Sequence, residues 1–595
     1  MLKFQWTASP VAFVVSQIGN ILRQAFQRLL VIATGITIDG LVRAPDSGPG
    51  AFTLGIILIA VVLFIDPVTK QLSEIAVQKL KTNTTTLSNV SLAELALADP
   101  TLHAISEPQR SAKWKRLNTK LNDWMWLYWS DANLDNLATR FGALLSFAIV
   151  ATWNIWIALL LSLGHIISSR VAGSWNDLVF QEFDAAPGSD LYRAEFLRKK
   201  LMNAENAKEV RLFGWTPWFL ADFRRLWENS LANIWPSRKQ MSKRALASGA
   251  IQILTHSVAV AVLILNIRDG IVSAGQVLTI FGTLASLGGL GYLGFPQTVA
   301  KSNAEIVTDL VSERTEAGLD PVARVRDLKT EAGISRRSVT ATKPVNVTIR
   351  NLTFGYPGRA PIFHNLNLDI PAGQSVAIVG VNGAGKSTLI KLLCGLYLPT
   401  SGSISLNGKA PLDARGDIAV VFQEFEHYHR TLAENIAVGA FGAEVPQEVL
   451  DRVLEQARGT GLLTEERGWD TMLSAEYDGG TDLSGGQWQR VALARAFTSL
   501  ASGAGLLILD EPTSALDVRA EKELFDDFLS VTKGATTILV THRLAAVRRA
   551  ERIIVIEDGR VVADASHEEH MRNGGLYADM FRLQASRYVD AEEAQ

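Results

Sequence analysis

The segment SVAIVGVNGAGKSTLIKLLCG, residues 375–395, sets Gly380, Gly385, Lys386 and Ser387 at the spacing of a phosphate-binding loop. Apolar residues up to Val379 read as a strand. From Gly380 through Asn382 and Gly383 to Gly385 the chain can turn its N–H groups inward around phosphate oxygens, at backbone angles that glycine tolerates. A helix follows at once, adding its dipole and its free N-terminal donors. Lys386 can reach the β- and γ-phosphates of a nucleotide. The Ser387 hydroxyl, with Thr388 beside it, can ligate Mg²⁺.

A second group of residues supplies acid–base chemistry. In GLLILDEPTSALD, Leu506 to Leu509 make a buried strand, with Asp510 at its C-terminal end, where α/β proteins bind ligands. Asp510 can hold Mg²⁺ through water, and Glu511 can orient or deprotonate an attacking water. His542 ends another apolar strand, TTILV plus Thr541, and could contact the γ-phosphate and help position that water. Gln423 follows AVVF and could sense Mg²⁺ or the nucleophile. Tyr356, in FGYPG, could stack on adenine, although an aromatic beside Gly-Pro also anchors turns. In TDLSGGQWQR, residues 481–490, a serine and two glycines expose backbone donors ahead of a helical run, a further anion-binding candidate.

These residues need a scaffold, and composition divides it in two. The chain has 595 residues, more than one domain. Lys+Arg total 58 against 60 Asp+Glu, a formal charge of -2 that argues against a nucleic-acid binder. A mean hydropathy of +0.14 and a hydrophobic share of 48% are high for a soluble protein. One cysteine, Cys394, excludes an intramolecular disulfide framework and reads as a buried thiol. No signal peptide is read at MLKFQW.

The apolar residues concentrate in the first half. Residues 51–65, AFTLGIILIAVVLFI, are uncharged and extend from about residue 48 to spanning length. Residues 141–169 lack Asp, Glu, Lys and Arg and have room for parts of two crossings, with a short turn near 153–156. Residues 245–267 and 277–295 add two more, and the chain before Arg43, from about Ser9, supplies a sixth. That sixth segment carries Asn20, Arg23, Gln24, Gln27 and Arg28. Its polar face must point into the bundle or a wet cavity, or the segment lies in the interface as an amphipathic helix. The long segments 66–137 and 170–244 are rich in Lys and Arg and so face the cytoplasm, as do the N-terminus and the second half. Both have helical patterning and read as extensions of membrane helices. A linker at 313–345 mixes charge, Gly, Pro and Thr. From about residue 346, strand candidates NVTIRNLTF, SVAIVG, IAVVFQ, LLILD, TTILVTH and RIIVIEDG alternate with helical runs, as in an α/β domain.

The order of the phosphate loop, Gln423, LSGGQ, the Asp510–Glu511 pair, SALD and TH resembles that of an ABC-type ATPase domain, over about residues 346–581. The resemblance implies that Leu483, Ser484, Gly485, Gly486 and Gln487 form the signature motif, and that Ser514 to Asp517 form the D-loop. It also implies that the signature faces the phosphate loop of a second ATPase domain, so that two ATPs are buried in a twofold pair. The whole chain resembles an exporter-type half-transporter: an all-α six-helix transmembrane domain (1–312), the linker (313–345), then an α/β P-loop ABC ATPase domain with a C-terminal tail (346–595). By the same resemblance, residues 206–215 (NAKEVRLFGW) and 92–104 are coupling-region candidates, and 425–439 is the segment they meet.

The implied activity is Mg²⁺- and ATP-dependent export of an amphiphilic drug, lipid or peptide across the cytoplasmic membrane. The partner is a second half-transporter, with an identical chain favoured over a different one because no motif residue departs from the active pattern. Arg23 and Arg28 would suit a substrate carrying negative charge. Competing classes are an importer of exporter-like shape, an ATP-gated membrane protein, and a soluble ABC ATPase acting on DNA or the ribosome. The apolar segments oppose the last.

Overall fold

The computed structural model describes residues 1–47, 50–183, 189–202, 204–291, 293–322, 343–440, 443–512, 532, 534–542 and 547–592. The D-loop, 514–517, and the central part of the linker, 323–342, lie outside the described residues. The chain forms two compact units, residues 1–96 with 113–325, and residues 97–112 with 326–595.

The first unit is helical. A short α1 (Leu2–Ala8) precedes α2 (Pro10–Ser47), and α3 (Gly50–Ala98) runs 49 residues. At 1.5 Å per residue α3 is about 74 Å long, more than twice the hydrocarbon thickness, so its polar half continues beyond any apolar span. The chain then passes through α4 (His103–Ser106) and the start of α5 (Pro108–Leu121), which belong to the second unit, and returns with α6 (Trp124–Trp129), α7 (Ala132–Trp153) and α8 (Ile155–Phe183). The turn expected near 153–156 is a single residue, Asn154. Its extended backbone ends α7, and its side-chain oxygen accepts from Trp156 N at 3.0 Å to start α8. Next are α9 (Asp190–Met202), α10 (Ala204–Leu212), the 53-residue α11 (Thr216–Arg268), α12 (Ala274–Leu284) and α13 (Phe295–Glu316).

Among the described residues five helical stretches are long and apolar enough to cross a membrane: Pro10–Val42, Gly50–Ala98, Ala132–Trp153, Met241–Arg268 and Ala274–Glu316. Ile155–Arg170 is a shorter apolar helix. One expectation needs correction. Residues 277–295 are not one continuous helix, because α12 stops at Leu284, a 3-10 turn covers Ala285–Leu290, and α13 starts only at Phe295. The cause is local: Gly288, Gly289, Gly291 and Gly294 weaken the helix, Gly294 takes φ +74°, and Pro296 fits only the first turn of a new one.

The polar residues of α2 pack inward. Ser73 on α3 donates to Asn20 Oδ1 at 2.9 Å, and Asn20 Nδ2 donates to Asp135 on α7 at 3.0 Å. At the other end, Asp39 accepts from Ser273 Oγ at 2.5 Å and Gly275 N at 2.7 Å, capping α12. Near the polar ends of α3 and α13, Arg314 is 2% exposed; it donates to Ser91 O at 2.7 Å and pairs with Glu94 at 2.8 Å.

The second unit has two sheets. β1 (Val347–Phe354) lies between β2 (Phe363–Ile370) and β4 (Ser401–Leu406) in an antiparallel trio. The larger sheet runs β5-β6-β7-β3-β8-β9. Its members are β3 (Ser375–Val379), β5 (Ile418–Val421), β6 (Leu506–Asp510), β7 (Thr536–Val540), β8 (Arg552–Glu557) and β9 (Arg560–Ala565). Only the β8–β9 pair is antiparallel. The parallel strands are continuous apolar runs, because both faces are covered. One face packs on α14 (Lys386–Leu393) and the smaller sheet. Another cluster joins the sheet to α15 (Leu432–Ala437), α16 (Gln447–Gln456) and α17 (Gly485–Ala501). Near the C-terminus, α18 (His567–Asn573) and α19 (Leu576–Glu592) complete the unit, with Tyr577 packed beneath β8.

Ile508 lies fully buried in β6, between β5 and β7. Ile508→Ala should destabilise this unit by about 3 kcal/mol. Hydrogen exchange read by mass spectrometry should then show amides of β6 and β7 exchanging about a hundredfold faster. Unchanged exchange would contradict the central position of the strand.

Candidate functional site

The phosphate loop, the acidic pair and His542 meet because three neighbouring strands end together. β6, β7 and β3 are adjacent and parallel, so their C-terminal ends deliver Asp510, Thr541–His542 and the loop 380–385 to one edge of the sheet. The loop is tightly specified. A Cβ at Gly380 would collide with the Ile556 carbonyl, and Gly385 takes φ +99° with Ile362 and Phe363 already within 2.8 Å of where its Cβ would stand. Gly385 is also the N-cap of α14, so Lys386 and Ser387 open that helix.

Lys386 is buried, and its Nζ donates to Gly380 O at 2.9 Å and Val381 O at 3.1 Å, which holds the ammonium over its own loop. Burial lowers the lysine pKa from its ordinary value, opposed by the charges of Glu511 and Asp510. Asp510 is 3% exposed. Burial raises its carboxyl above the usual range, the Ser387 hydroxyl bond opposes that shift, and the Glu511 charge adds to it. One Asp510 oxygen, Oδ1, is sealed from solvent and has no partner. A buried carboxylate oxygen left unpaired beside a serine hydroxyl matches the hard-oxygen donors a Mg²⁺ ion takes.

Glu511 follows in a left-handed conformation, φ +50°, which costs a non-glycine residue about 1–2 kcal/mol. Its N–H donates to Val540 O at 2.8 Å, and its Oε1 lies 3.2 Å from His542 Nδ1. The turn thereby lifts the carboxylate off the strand and sets it against the imidazole.

Other expected residues stand apart from this group. Tyr356 is half-buried, edge-on to Phe354 and Tyr397, and its hydroxyl lies 3.3 Å from Thr388 Oγ1. Gln423 is exposed just beyond β5, as is Asn382 in the loop. Among the described residues no hydrogen bond joins Gln423 to Ser387, Asp510 or Glu511. Ser484 is the N-cap of α17: its Oγ accepts from Gln487 N at 3.4 Å, and its own N–H donates to Gln487 Oε1 at 2.9 Å. With Gly485 exposed and Gly486 half-buried, this helix start points no described hydrogen bond at Lys386 or Asp510.

Two features escaped the sequence. The segment after Gln423 is fastened to α17: the His427 ring stacks on Trp488 at 4.3 Å, and Arg495 sits 4.8 Å over Tyr428 while donating to Asn435 O at 3.0 Å. Adjacent aromatics in HYHR gave no periodic signal of this. The second feature is the place of α4. Leu102 N donates to Leu396 O at 2.8 Å, Ser106 Oγ lies 2.7 Å from Tyr397 OH, and Arg415 donates to Pro100 O. Leu396 and Tyr397 directly follow the helix that Lys386 begins. Hence α14, about 12 Å long, has the phosphate loop at one end and the 97–112 segment at the other. The segment overlaps the 92–104 coupling candidate. The other candidate, 206–215, falls on α10 and the turn after it, in the first unit, with Phe213 and Trp215 exposed.

Residues 363–514 match the ABC transporter family. The chain is 31% identical over 453 residues to the subtilin transport ATP-binding protein SpaT of Bacillus subtilis, covering 75% of this chain and 71% of that one. It is 30% identical over 358 residues to an ATP-dependent lipid A-core flippase of Photobacterium profundum, 58% of each chain. In fold it matches a bacterial Atm1-family ABC exporter solved with ATP bound, with a TM-score of 0.74, 23% identity, and coverage of 96% of this chain and 99% of that one. The chain is thus a member of the ABC transporter family, an ATP-hydrolysing translocase of the exporter-type half-transporter kind, with its transmembrane and ATP-binding parts fused.

Proposed function

We propose that this chain pairs with a second copy and uses ATP to export an amphiphilic substrate, a drug, lipid or peptide, across the cytoplasmic membrane. The observation that supports the reading is α14, with the phosphate-loop candidates Gly385, Lys386 and Ser387 at its start and residues 102–106 hydrogen-bonded just beyond its end. A helix turn that shifts when phosphates are gripped moves Leu396 and Tyr397, and with them residues 97–112. Six crossings complete the membrane part, with Ile155–Arg170 as the shortest. The N-terminus and the ATPase unit lie in the cytoplasm. We place the boundaries at 1–312, 313–345 and 346–595; the compact units divide near residue 325, and 97–112 belongs to the second. The relatives' names, a subtilin transporter and a lipid A-core flippase, support an amphiphilic cargo.

In this mechanism Lys386 exchanges its bonds to Gly380 and Val381 for phosphate oxygens, at little cost because its ammonium is already desolvated. Ser387 and Asp510, with Gln423, would hold Mg²⁺, which would supply positive charge against the phosphates. Glu511 accepts the proton of the attacking water, and His542 fixes that carboxylate at 3.2 Å. Tyr356 lies against adenine once its edge-on packing opens. Ser484 to Gln487 meet the γ-phosphate of the partner chain's ATP through the capped N-terminus of α17. Two shared nucleotides then join the pair, and hydrolysis releases it.

Reconstitution in liposomes with a panel of fluorescent drugs, lipids and peptides tests the whole reading. ATP-dependent movement of at least one compound, abolished by Glu511→Gln, is expected. ATP turnover with no vectorial movement of any compound would leave only a gating role. Glu511→Gln should also cut turnover by about a hundredfold or more while nucleotide binding stays near normal. Lys386→Ala should instead weaken ATP binding itself by about tenfold or more, measured by nucleotide fluorescence titration. Equal ATP affinity in both variants would remove Lys386 from the phosphate site.

A further inference from the structure

Arg28 stands in the span Pro10–Val42, yet its side chain is only 8% exposed. An ionised group at such depth is costly unless something answers its charge. Two of its three nitrogens are held by neutral acceptors. Nε donates to Gly142 O at 3.1 Å and Ser146 Oγ at 3.2 Å, both on α7. Nη1 donates to Gln24 O at 3.2 Å, Gln24 Oε1 at 2.6 Å and Gln27 Oε1 at 3.0 Å. Among the described residues no carboxylate pairs with it, and Nη2 makes no hydrogen bond. Nor is Nη2 one of the sealed side-chain atoms that lack a partner. Gly142 keeps the space beside it clear, since a Cβ there would stand 2.8 Å from Nη2. The result is a clamped guanidinium with an unanswered charge and two unspent N–H groups in a fixed direction.

Its neighbours on α2 are committed differently. Asn20 is spent on Ser73 and Asp135. Arg23 is half-buried and makes no hydrogen bond among the described residues. Gln24, Gln27 and Ser146 all serve Arg28.

The geometry points to Arg28 as the recognition point for the anionic head of an amphiphile, with Gln24, Gln27 and Ser146 as positioning residues that aim its Nη2. This rests on the export reading above and narrows its substrate class. A phosphate or carboxylate oxygen accepts from Nη2 in a charge-assisted bond, and the planar guanidinium fixes the direction of approach. The acyl or alkyl tail then lies along apolar helix surface.

Equilibrium dialysis of the full-length protein in phosphatidylcholine nanodiscs tests the assignment, with dodecyl phosphate, dodecyltrimethylammonium, dodecyl maltoside and inorganic phosphate as probes. Dodecyl phosphate should bind the wild type at least about tenfold more tightly than either other dodecyl compound, the worth of roughly one charge-assisted hydrogen bond. Arg28→Gln should erase that preference and leave dodecyl maltoside binding within about twofold. Arg28→Lys should keep part of it, and Ser146→Ala and Gln27→Ala should each weaken it by several-fold. Equal affinities for the three heads, or a preference that survives Arg28→Gln, overturn the proposal. So does inorganic phosphate competing as well as dodecyl phosphate, which would mark a free-anion site. If Arg28→Gln does not fold, Ser146→Ala and Gln27→Ala decide, and no change in either is negative. ATP-driven transport of other compounds without Arg28-dependent binding would sink this proposal alone. Arg28-dependent binding without any ATP-driven movement would sink the export reading alone.

Discussion

Charge removed from water must be answered by other charge, and the ATPase unit gathers buried charged groups of both signs at one sheet edge. Asp510 and Lys386 are both buried at the edge of one sheet, and burial pushes each toward its neutral form. Their mutual attraction does not remove that tendency. On the proposed reading, a polyanionic nucleotide with its divalent cation would bring a counter-charge to each. The parallel order β6-β7-β3 makes this possible, because it brings three strand ends and their loops within reach without any of the polar groups leaving the sheet edge. The left-handed turn at Glu511 adds strain where the chemistry needs a carboxylate off the strand axis.

Legibility in the sequence followed the strength of the local constraint. The phosphate loop was readable because close backbone approach admits glycine alone, as the collision at Gly380 demonstrates. β3, β5, β6, β7 and β8 were readable as apolar runs because both faces are covered. β2, β4 and β9 were not named: FHNLNLDI and RVVADA alternate, and SGSISL is mostly polar, so each merges with the turns around it. The last apolar stretch looked continuous because hydropathy counts glycine as nearly neutral, whereas the backbone breaks on it. Long-range partners such as Trp488 with His427, or Leu102 with Leu396, have no local signature at all. Gln423 and LSGGQ were read as candidates from their residues and given family roles only by resemblance, and among the described residues no hydrogen bond joins them to the acidic pair.

The membrane half poses the same electrostatic problem with a different resolution. Its polar side chains are mostly answered in pairs: Asn20 by Asp135, Asp39 by the start of α12, Arg314 by Glu94. These contacts fix helices against one another where hydrophobic attraction between lipid-facing surfaces is absent. Gly142 is shaped by one such contact, since its missing side chain is the room the Arg28 guanidinium occupies.

The position of α4 carries a consequence for how such chains can be recombined. The polypeptide crosses from one compact unit to the other, returns after residue 112, and crosses again near residue 325. A gene seam placed in the linker would therefore divide the sequence but not the folds. Any chimaera that borrows an ATPase from a related transporter would leave 97–112 facing a surface it did not evolve beside, with Leu396, Tyr397 and Arg415 replaced under it. The unit of inheritance for a working graft is the soluble half together with that sixteen-residue loop (97–112).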